Sequence, residues 1–329
     1  MEARAPGTLK IAILSDIHYA GAAERARGSE YELRSIANPL LRAFVAFHRH
    51  FVWMRHPLAQ APQLDRFLDA AGAADLVVAN GDYSCDSGFV GISDAAAFAS
   101  AQECVGKIRS KFGDRAHFIM GDHELGKLTF FGGNGGMRLA SWTRATESLG
   151  LKPFWQLELG HYLLMGVTSP LIALLVNQPD ALPAEWPEWQ KLRVTHLAEI
   201  RAAFDALNPE QRVILFCHDP TALPFLWREE SVRRRLPQIE QTIIGHLHSR
   251  LILWKSRWLS GIPPIHFLGH SIRRYSSALH EAQHWRPFRV RLCPALSGIE
   301  LLNDGGYYVM DLDSAAKLPA QFTFHPLPR

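Results

Sequence analysis

The amino-acid sequence predicts an α/β fold with two β-sheets. Up to Arg250, short apolar runs of strand length alternate with longer amphipathic stretches of helical length. Such alternation is typical of βαβ units around a largely parallel sheet. The predicted strands are residues 10–14, 75–79, 116–120, 162–167, 213–217 and 242–244, and the predicted helices are residues 61–71, 94–111 and 186–207.

The chain after Arg250 has a different pattern, which predicts the second sheet. Its apolar runs, at residues 251–254, 265–268, 288–292 and 307–312, have few helical stretches between them. Since no linker rich in Pro, Gly or Ser divides the sequence, we expect a single domain over residues 1–329. Within it, residues 31–60 and 127–145 are candidate lid or insert segments, the second because it contains a glycine cluster.

Composition and charge exclude several classes of function. The chain of 329 residues is 47% hydrophobic, which is enough for a large core. Its formal net charge of +3 is too small to indicate a nucleic-acid-binding protein. The four cysteines are scattered without a CxxC pair, as in a reduced protein, and neither a signal peptide nor a membrane-spanning run is evident. We therefore expect a cytoplasmic protein, either free or at the inner-membrane surface.

Acidic and histidine side chains follow five of the predicted strands. The motifs are DIH at residues 16–18, GD at 81–82, GDHE at 121–124, CHD at 217–219 and GHLH at 245–248. In open α/β sheets, ligands bind at the carboxyl ends of the strands, so all five motifs are expected at one edge. The glycines that begin three of these motifs let the backbone approach a ligand closely. The candidate site residues are Asp16, His18, Asp82, Asp122, His123, His218, His246 and His248.

These residue types favour a pair of divalent metal ions. Carboxylate and imidazole ligands without thiolate suit Mn, Fe or Zn, with Mg as a further candidate, rather than Ca or a closed structural zinc site. Two ions about 3.5–4 Å apart can clamp a phosphoryl group, neutralise its oxygens and activate a water between them. Asp82, in the middle of the set, is the natural bridging carboxylate. Among these metals we expect manganese.

The motifs, taken as an ordered set, resemble the calcineurin-like metallophosphoesterase superfamily. That superfamily has the order D-x-H, G-D, G-N-H-[DE], H and G-H-x-H, and this chain has DIH, GDY, GDHE, CHD and GHLH in the same order. The late sequence GGYY at 305–308 is also similar to the superfamily's closing strand. The resemblance covers the chain from Asp16 to His248 and implies a four-layer α/β/β/α sandwich of two mixed sheets, with the metals at the sheet edge.

The resemblance also implies a role for each site residue. One metal would be held by Asp16, His18, Asp82 and His248, and the second by Asp82, Asp122, His218 and His246. His123 would face the phosphate, where it would protonate the leaving oxygen or stabilise its charge.

One position departs from the superfamily pattern. The superfamily usually has Asn where this chain has Asp122. Both side chains offer an oxygen at the same reach, so metal ligation is retained. Because a carboxylate adds a negative charge, we expect an active enzyme whose second ion is bound more tightly, with a changed metal preference.

Two further segments are candidates for substrate binding. On a helix, residues 40–56 would have a basic stripe and an apolar face. Either this apolar face packs on the sheet, or the helix is a lid or a membrane-facing element that holds an acyl chain. Between residues 228 and 291, basic side chains surround the GHLH motif and would steer an anionic substrate or lie against anionic lipid. The candidate substrate residues are Phe47, Phe51, Trp53, Arg233, Arg234, Arg273 and Arg274.

Three functions are consistent with the sequence. The first is hydrolysis of the diphosphate of UDP-2,3-diacylglucosamine in lipid A synthesis, a step that one branch of the superfamily performs and that suits a phosphorylated lipid substrate. The second is hydrolysis of a soluble nucleotide or cyclic phosphodiester. The third is a non-catalytic scaffold, which the complete set of metal-capable residues disfavours. Exposure of the aromatic side chains in residues 40–56 would favour the first function, and burial would favour the second.

Overall fold

The protein is described by a computed structural model that covers residues 7–28, 31–53, 56–87, 89–127, 135–265, 270–296 and 305–327; for residues 35, 52, 53 and 270–274 it describes the backbone alone. Ten strands form two five-stranded sheets in this part of the chain. The strands are β1 (Thr8–Leu14), β2 (Leu76–Ala79), β3 (Ala116–Phe118), β4 (Phe154–Leu159), β5 (Tyr162–Val167), β6 (Arg212–Cys217), β7 (Ile239–Ile244), β8 (Val290–Leu292), β9 (Gly306–Asp313) and β10 (Gln321–Pro326).

Both sheets are mixed. The first sheet has the order β10-β9-β1-β2-β3, with β1, β2 and β3 parallel and β9 antiparallel to β1. The second sheet has the order β4-β5-β6-β7-β8, with only β4 antiparallel to its neighbour.

Alternation along β1 shows where the layers lie. Side chains of successive strand residues point to opposite faces of a sheet. Ile11 and Ile13 pack in a core that includes Ile214 and Phe216 of β6, so this core lies between the two sheets. Ala12 and Leu14 belong instead to a core shared with helices. The central strands are buried on both faces, which explains why they read as continuous apolar runs.

The helices of the described residues cover the outer faces of the sheets. Helices α3 (Pro62–Ala70) and α4 (Ala95–Phe112) contribute Phe67 and Val105 to the core on the first sheet. Helix α9 (Trp186–Asp205) contributes Ile200 and Phe204 to the core on the second sheet. The predicted four-layer α/β/β/α arrangement is therefore confirmed. The helices are α1 (Ala22–Arg27), α2 (Pro39–Phe47), α3 (Pro62–Ala70), α4 (Ala95–Phe112), α5 (Asp122–Leu125), α6 (Leu139–Thr143), α7 (Ser169–Ile172), α8 (Leu174–Asn177), α9 (Trp186–Asp205), α10 (Leu223–Arg228), α11 (Glu230–Arg235), α12 (Arg250–Trp258) and α13 (His270–Glu281).

The division of the chain between the two sheets differs from the sequence-based expectation. The second sheet begins at β4 instead of after Arg250, and the late strands β9 and β10 join the first sheet. The apolar run at 251–254 lies in helix α12, and most of the run at 265–268 lies outside the described residues. The error has a physical cause: buried strands in both sheets have the same apolar pattern, so periodicity does not assign a strand to a sheet.

No helix in the described part of the chain is long and apolar enough to span a membrane.

Gly166 of β5 marks the tightest part of the packing between the sheets. A methyl group there would meet the indole of Trp155 and, at 2.5 Å, Cδ1 of Ile119. The indole has little freedom to move because its Nε1–H donates a hydrogen bond to the Phe118 carbonyl at 2.9 Å.

We predict that Gly166→Ala lowers the free energy of unfolding by about 1–3 kcal/mol, the usual cost of overpacking a core. Gly106→Ala is the matched control: Gly106 lies in α4, an added methyl group meets nothing within 4 Å, and Ala is the better helix former by about 0.5–1 kcal/mol. Urea unfolding followed by circular dichroism measures both changes. A Gly166→Ala variant as stable as the wild type would contradict the tight packing.

Candidate metal centre

The predicted site residues come from the carboxyl ends of strands in both sheets. Asp16, Asp82 and Asp122 follow β1, β2 and β3 of the first sheet, and His218 and His246 follow β6 and β7 of the second. The expectation of a common edge is therefore correct, but two sheets form it instead of one. Their ends are also connected directly, since the His246 backbone N–H donates to Oδ1 of Asp16 at 2.9 Å.

The structure brings the candidate ligands together in groups of metal-binding size. In each group, one ligand atom per residue lies within 4.8 Å of the others. The groups are Asp16, His18 and His248; Asp82, Asp122, His218 and His246; and His18, Asp82 and His123.

Asp82 lies between the first two groups. Its Oδ2 is 3.1 Å from Nε2 of His218 and 3.9 Å from Nε2 of His18. This position suits a carboxylate that serves two neighbouring ions, as expected for the bridging ligand.

A backbone carbonyl orients His218. Nδ1 of His218 hydrogen-bonds the carbonyl oxygen of Asn80, and since a carbonyl only accepts, Nδ1 must carry the hydrogen. Nε2 therefore faces Asp82 and Asp122, which lie 3.1 and 3.5 Å away. Fixing of a ligand's tautomer by the hydrogen bond of its other nitrogen is usual at metal sites.

The electrostatics of the centre fit a cation. Although burial acts to lower it, the Asp82 and Asp122 carboxylates raise the pKa of His218 well above its ordinary value. Burial, then His123 and His248, hold the pKa of His18 well below its ordinary value, so its ring stays neutral. Oδ2 of Asp16 is buried and has no hydrogen-bond partner among the described residues. Imidazole nitrogens beside carboxylates that stabilise positive charge are the donor set of a divalent metal.

Backbone strain is concentrated in the same residues. Five of the nine described non-glycine residues with positive φ are candidate ligands, and their φ lies between 46° and 61°: Asp16, His18, Asp82, His246 and His248. This left-handed conformation costs an L-residue roughly 1–2 kcal/mol. Strain repeated in five candidate ligands indicates that the fold holds their side chains in position for function.

Two of the motif glycines are required by space. A methyl group on Gly81 would lie 2.6 Å from Nδ1 of His218, and one on Gly245 would lie 2.6 Å from Oδ2 of Asp16. Both contacts involve candidate ligands, so the predicted close approach of backbone to the centre is observed.

Glu124, in the GDHE motif, has a positioning role that the sequence analysis missed. Its buried carboxylate accepts hydrogen bonds from the backbone N–H groups of Gly121, Asp82 and Tyr83 at 2.7, 3.0 and 2.8 Å. It therefore joins the loops after β2 and β3 and holds Asp82 in its strained conformation. The only sequence feature that indicated a role for Glu124 is its position directly after His123.

His123 lies between the candidate ligands and a lysine. Its ring centroid is 4.6 Å from that of His18, and its Nε2 is 3.0 Å from Nζ of Lys127. Burial and then the Lys127 charge lower the pKa of His123, so the imidazole is neutral near pH 7.

Of the candidate substrate residues, Phe47 and Phe51 lie on the surface, with exposed fractions of 60% and 54%. Leu40 and Phe44 are exposed as well, at 82% and 66%, and no residue of α2 is buried. For the described side chains of residues 40–51, the expectation of packing against a sheet is therefore wrong. Trp53 lies in the π-helical segment that follows α2, but its side chain is outside the described part.

The substrate role predicted for Arg233 and Arg234 stays a prediction, and their position in the fold does not favour it. They lie in α11, which precedes β7, whereas the GHLH motif follows β7, so a strand about 20 Å long separates them from the centre. Arg234 pairs with Asp205 at 3.3 Å, and Arg233 lies over the ring of Trp227. Arg233 and Arg234 are close in sequence to the GHLH motif, but β7 lies between them and runs across the whole sheet. The side chains of residues 273 and 274 are outside the described part.

Comparison with known proteins identifies the class. The family model of calcineurin-like phosphoesterases matches residues 9–250. The chain belongs to this family and is a metal-dependent hydrolase of phosphoric esters. No curated protein sequence matches the chain significantly.

Three solved structures are similar to this chain to different degrees. A dimetal phosphatase from Danio rerio superimposes with a TM-score of 0.51 at 12% sequence identity, over 97% of this chain and 96% of its own. A purple acid phosphatase from yellow lupin matches at a TM-score of 0.37 and 10% identity, over 73% of this chain and 38% of its own. A predicted phosphoesterase from Streptococcus pneumoniae matches with a TM-score of 0.27 and 9% sequence identity, over 98% of this chain and 100% of its own. At these identities the first structure shows a common fold.

We predict that Asp122→Asn weakens manganese binding at the second position by at least about tenfold. The substitution keeps an oxygen at the same place but removes a charge, and the interaction of unit charges 4 Å apart is on the order of 4 kcal/mol near a protein surface. Isothermal titration calorimetry with Mn, Zn and Mg measures the affinities. Asp65→Asn, which removes an exposed carboxylate paired with Lys107, is the control. Unchanged affinity and unchanged metal order in Asp122→Asn would contradict the prediction.

Proposed function

We propose that this phosphoesterase hydrolyses the diphosphate bond of UDP-2,3-diacylglucosamine with two divalent ions, most simply manganese. The observation that carries the hydrolytic part is the meeting of the seven candidate ligands around Asp82. The observation that favours an acylated substrate is the exposed aromatic face of residues 40–51, which is connected to the catalytic side of the centre.

The ligands divide between two positions. Asp16, His18 and His248 would hold the first ion, and Asp122, His218 and His246 the second, with Asp82 shared. When bound, such ions neutralise phosphoryl oxygens and activate water for attack on phosphorus. The remaining tasks fall to the residues of this chain.

His123 is placed to act on the leaving group. It lies beside His18 and Asp82 but is offset toward Lys127, away from His218 and His246. From there its imidazole would hydrogen-bond a phosphate oxygen or the oxygen that leaves. As the only candidate site residue outside the two ligand groups, it is the group available for proton transfer.

Arg49 connects the aromatic face to the centre. Its guanidinium is 3.4 Å from Oδ2 of Asp86, four residues after Asp82, and 3.6 Å from Oε2 of Glu32. Phe47 and Phe51 are each two residues from Arg49, so when Arg49 points inward their rings point outward. The rings are 5.0 Å apart and form a continuous apolar surface.

A second exposed aromatic surface lies on the helix that follows the GHLH motif. Helix α12 begins two residues after His248 and exposes Trp254 and Trp258, at 60% and 74%. Their rings stack with centroids 6.5 Å apart, and Lys255 and Arg257 lie on the same helix. Exposed aromatic and basic side chains on a phosphoesterase suit a substrate with acyl chains, and they suit contact with an anionic membrane surface.

The decisive experiment is a turnover screen of the protein loaded with Mn, Zn or Mg. The substrates are UDP-2,3-diacylglucosamine, cyclic nucleotides, UDP-glucose and simple monoesters. We expect release of UMP and diacylglucosamine 1-phosphate with Mn, and slower turnover of the soluble compounds. Turnover of a nucleotide without turnover of the lipid would instead assign the protein to soluble phosphodiesters.

The aromatic face has its own prediction. Replacing Phe47 and Phe51 together by Ser should raise KM for the diacylated substrate at least about tenfold, because each ring contributes roughly 1.5–3 kcal/mol when covered by an acyl chain. Val194→Ser, which removes a 61% exposed apolar side chain from α9, is the control. Metal content and thermal midpoint should match the wild type in both variants. An unchanged KM in the double variant would exclude this face from lipid binding.

A further inference from the structure

Lys127 is a charged residue at the centre that is not a candidate metal ligand. The chain reaches it directly from the GDHE motif: α5 ends at Leu125, and the Lys127 backbone N–H donates to the Phe89 carbonyl at 3.0 Å. Its Nζ is 3.0 Å from Nε2 of His123 and 3.0 Å from Oε1 of Glu32. The side chain keeps an exposed fraction of 20%.

Glu32 pairs with the Lys127 ammonium, but its negative charge is shared with a second cation. The Glu32 carboxylate is only 6% exposed and accepts a hydrogen bond from the Ser87 backbone N–H at 3.2 Å. Its second oxygen faces Arg49, so one carboxylate serves two cations. Asp86 also pairs with Arg49, so Arg49 contacts two carboxylates, those of Glu32 and Asp86.

The ammonium has donor capacity left for an anion. A lysine has three N–H donors, and among the described residues Glu32 and His123 account for two. Through His123, the ammonium lies next to the group formed by His18, Asp82 and His123. Pairing with Glu32 alone would not require Lys127 to contact His123, the residue proposed to act on the phosphate.

The charge balance of the centre favours an additional cation. With two divalent ions, the three carboxylates of Asp16, Asp82 and Asp122 would leave one net positive charge, whereas the diphosphate of the proposed substrate carries two negative charges. Lys127 places a positive charge 3.0 Å from Nε2 of His123. Lysine is a common phosphate-binding residue because its compact ammonium acts as a point charge.

We propose that Lys127 binds a phosphate oxygen of the substrate beside His123, and that Glu32 is the positioning residue that holds its ammonium there. The inference rests on the proposed phosphoester hydrolysis and adds the residue that recognises the phosphate. Because Glu32 also contacts Arg49, the phosphate-binding group and the segment with the aromatic face are built on one carboxylate.

Binding of inorganic phosphate to the manganese-loaded full-length protein tests this role directly. Isothermal titration calorimetry compares the wild type with Lys127→Met, Lys127→Arg and Glu32→Gln. We expect Lys127→Met to weaken phosphate binding at least about tenfold, Lys127→Arg to restore most of it, and Glu32→Gln to weaken it about threefold to tenfold. Manganese content should equal that of the wild type in each variant.

Lys107→Met is the matched control, because Lys107 pairs with Asp65 at 2.8 Å on the outer helical layer and should not affect phosphate binding. Phosphate affinity equal to the wild type in folded, manganese-loaded Lys127→Met would overturn the proposal. A fall in thermal midpoint without a change in phosphate affinity would likewise assign Lys127 a structural role only.

The same measurements separate this proposal from the choice of substrate. If the wild type fails to hydrolyse UDP-2,3-diacylglucosamine but phosphate binding still depends on Lys127, only the substrate assignment is wrong. If the wild type hydrolyses that substrate and Lys127→Met binds phosphate normally, only the role of Lys127 is wrong.

Discussion

The buried Asp82 carboxylate, held between His18 and His218, is the interaction on which the centre depends. These two histidines follow strands of different sheets, so the carboxylate lies where the two sheet edges meet. A buried carboxylate without compensating charge is costly, and the surrounding histidines satisfy it only in part. A pair of cations resolves this conflict, which makes metal binding a contribution to the stability of the edge as well as to catalysis.

The same constraint explains the unusual backbone of the motifs. Five candidate ligands adopt positive φ, and the glycines next to them leave no room for a methyl group. Their strain is offset by the rigid layers beneath: β1 and β6 are central strands buried on both faces, and Glu124 ties two of the loops together through three backbone hydrogen bonds. Ligands on rigid strand ends keep their geometry when the surface around them changes.

The surfaces proposed for substrate recognition belong to different elements from those of the metal centre. The exposed aromatic residues lie in α2, the π-helical segment after it, and α12, all of them outside the two sheets. Two buried carboxylates, Glu32 and Asp86, anchor the first of these surfaces through Arg49. This arrangement allows one hydrolytic centre to serve different phosphoesters, because loops and surface helices determine which ester reaches it.

The sequence by itself determined the chemistry and most of the elements. Five motifs with carboxylates and imidazoles predicted the ligand set, and apolar periodicity predicted six of the seven strands and the helices α3, α4 and α9 in the first 250 residues, since both are local properties of the chain. Only the tertiary structure decided which strands share a sheet, that Phe47 and Phe51 are exposed, that Arg233 and Arg234 lie a strand length away, and that Lys127 approaches His123. Most of these features depend on contacts between residues distant in sequence, which no periodicity or local motif encodes. Lys127 and His123 are only four residues apart, but Lys127 also contacts Glu32 and Phe89, which are distant in sequence.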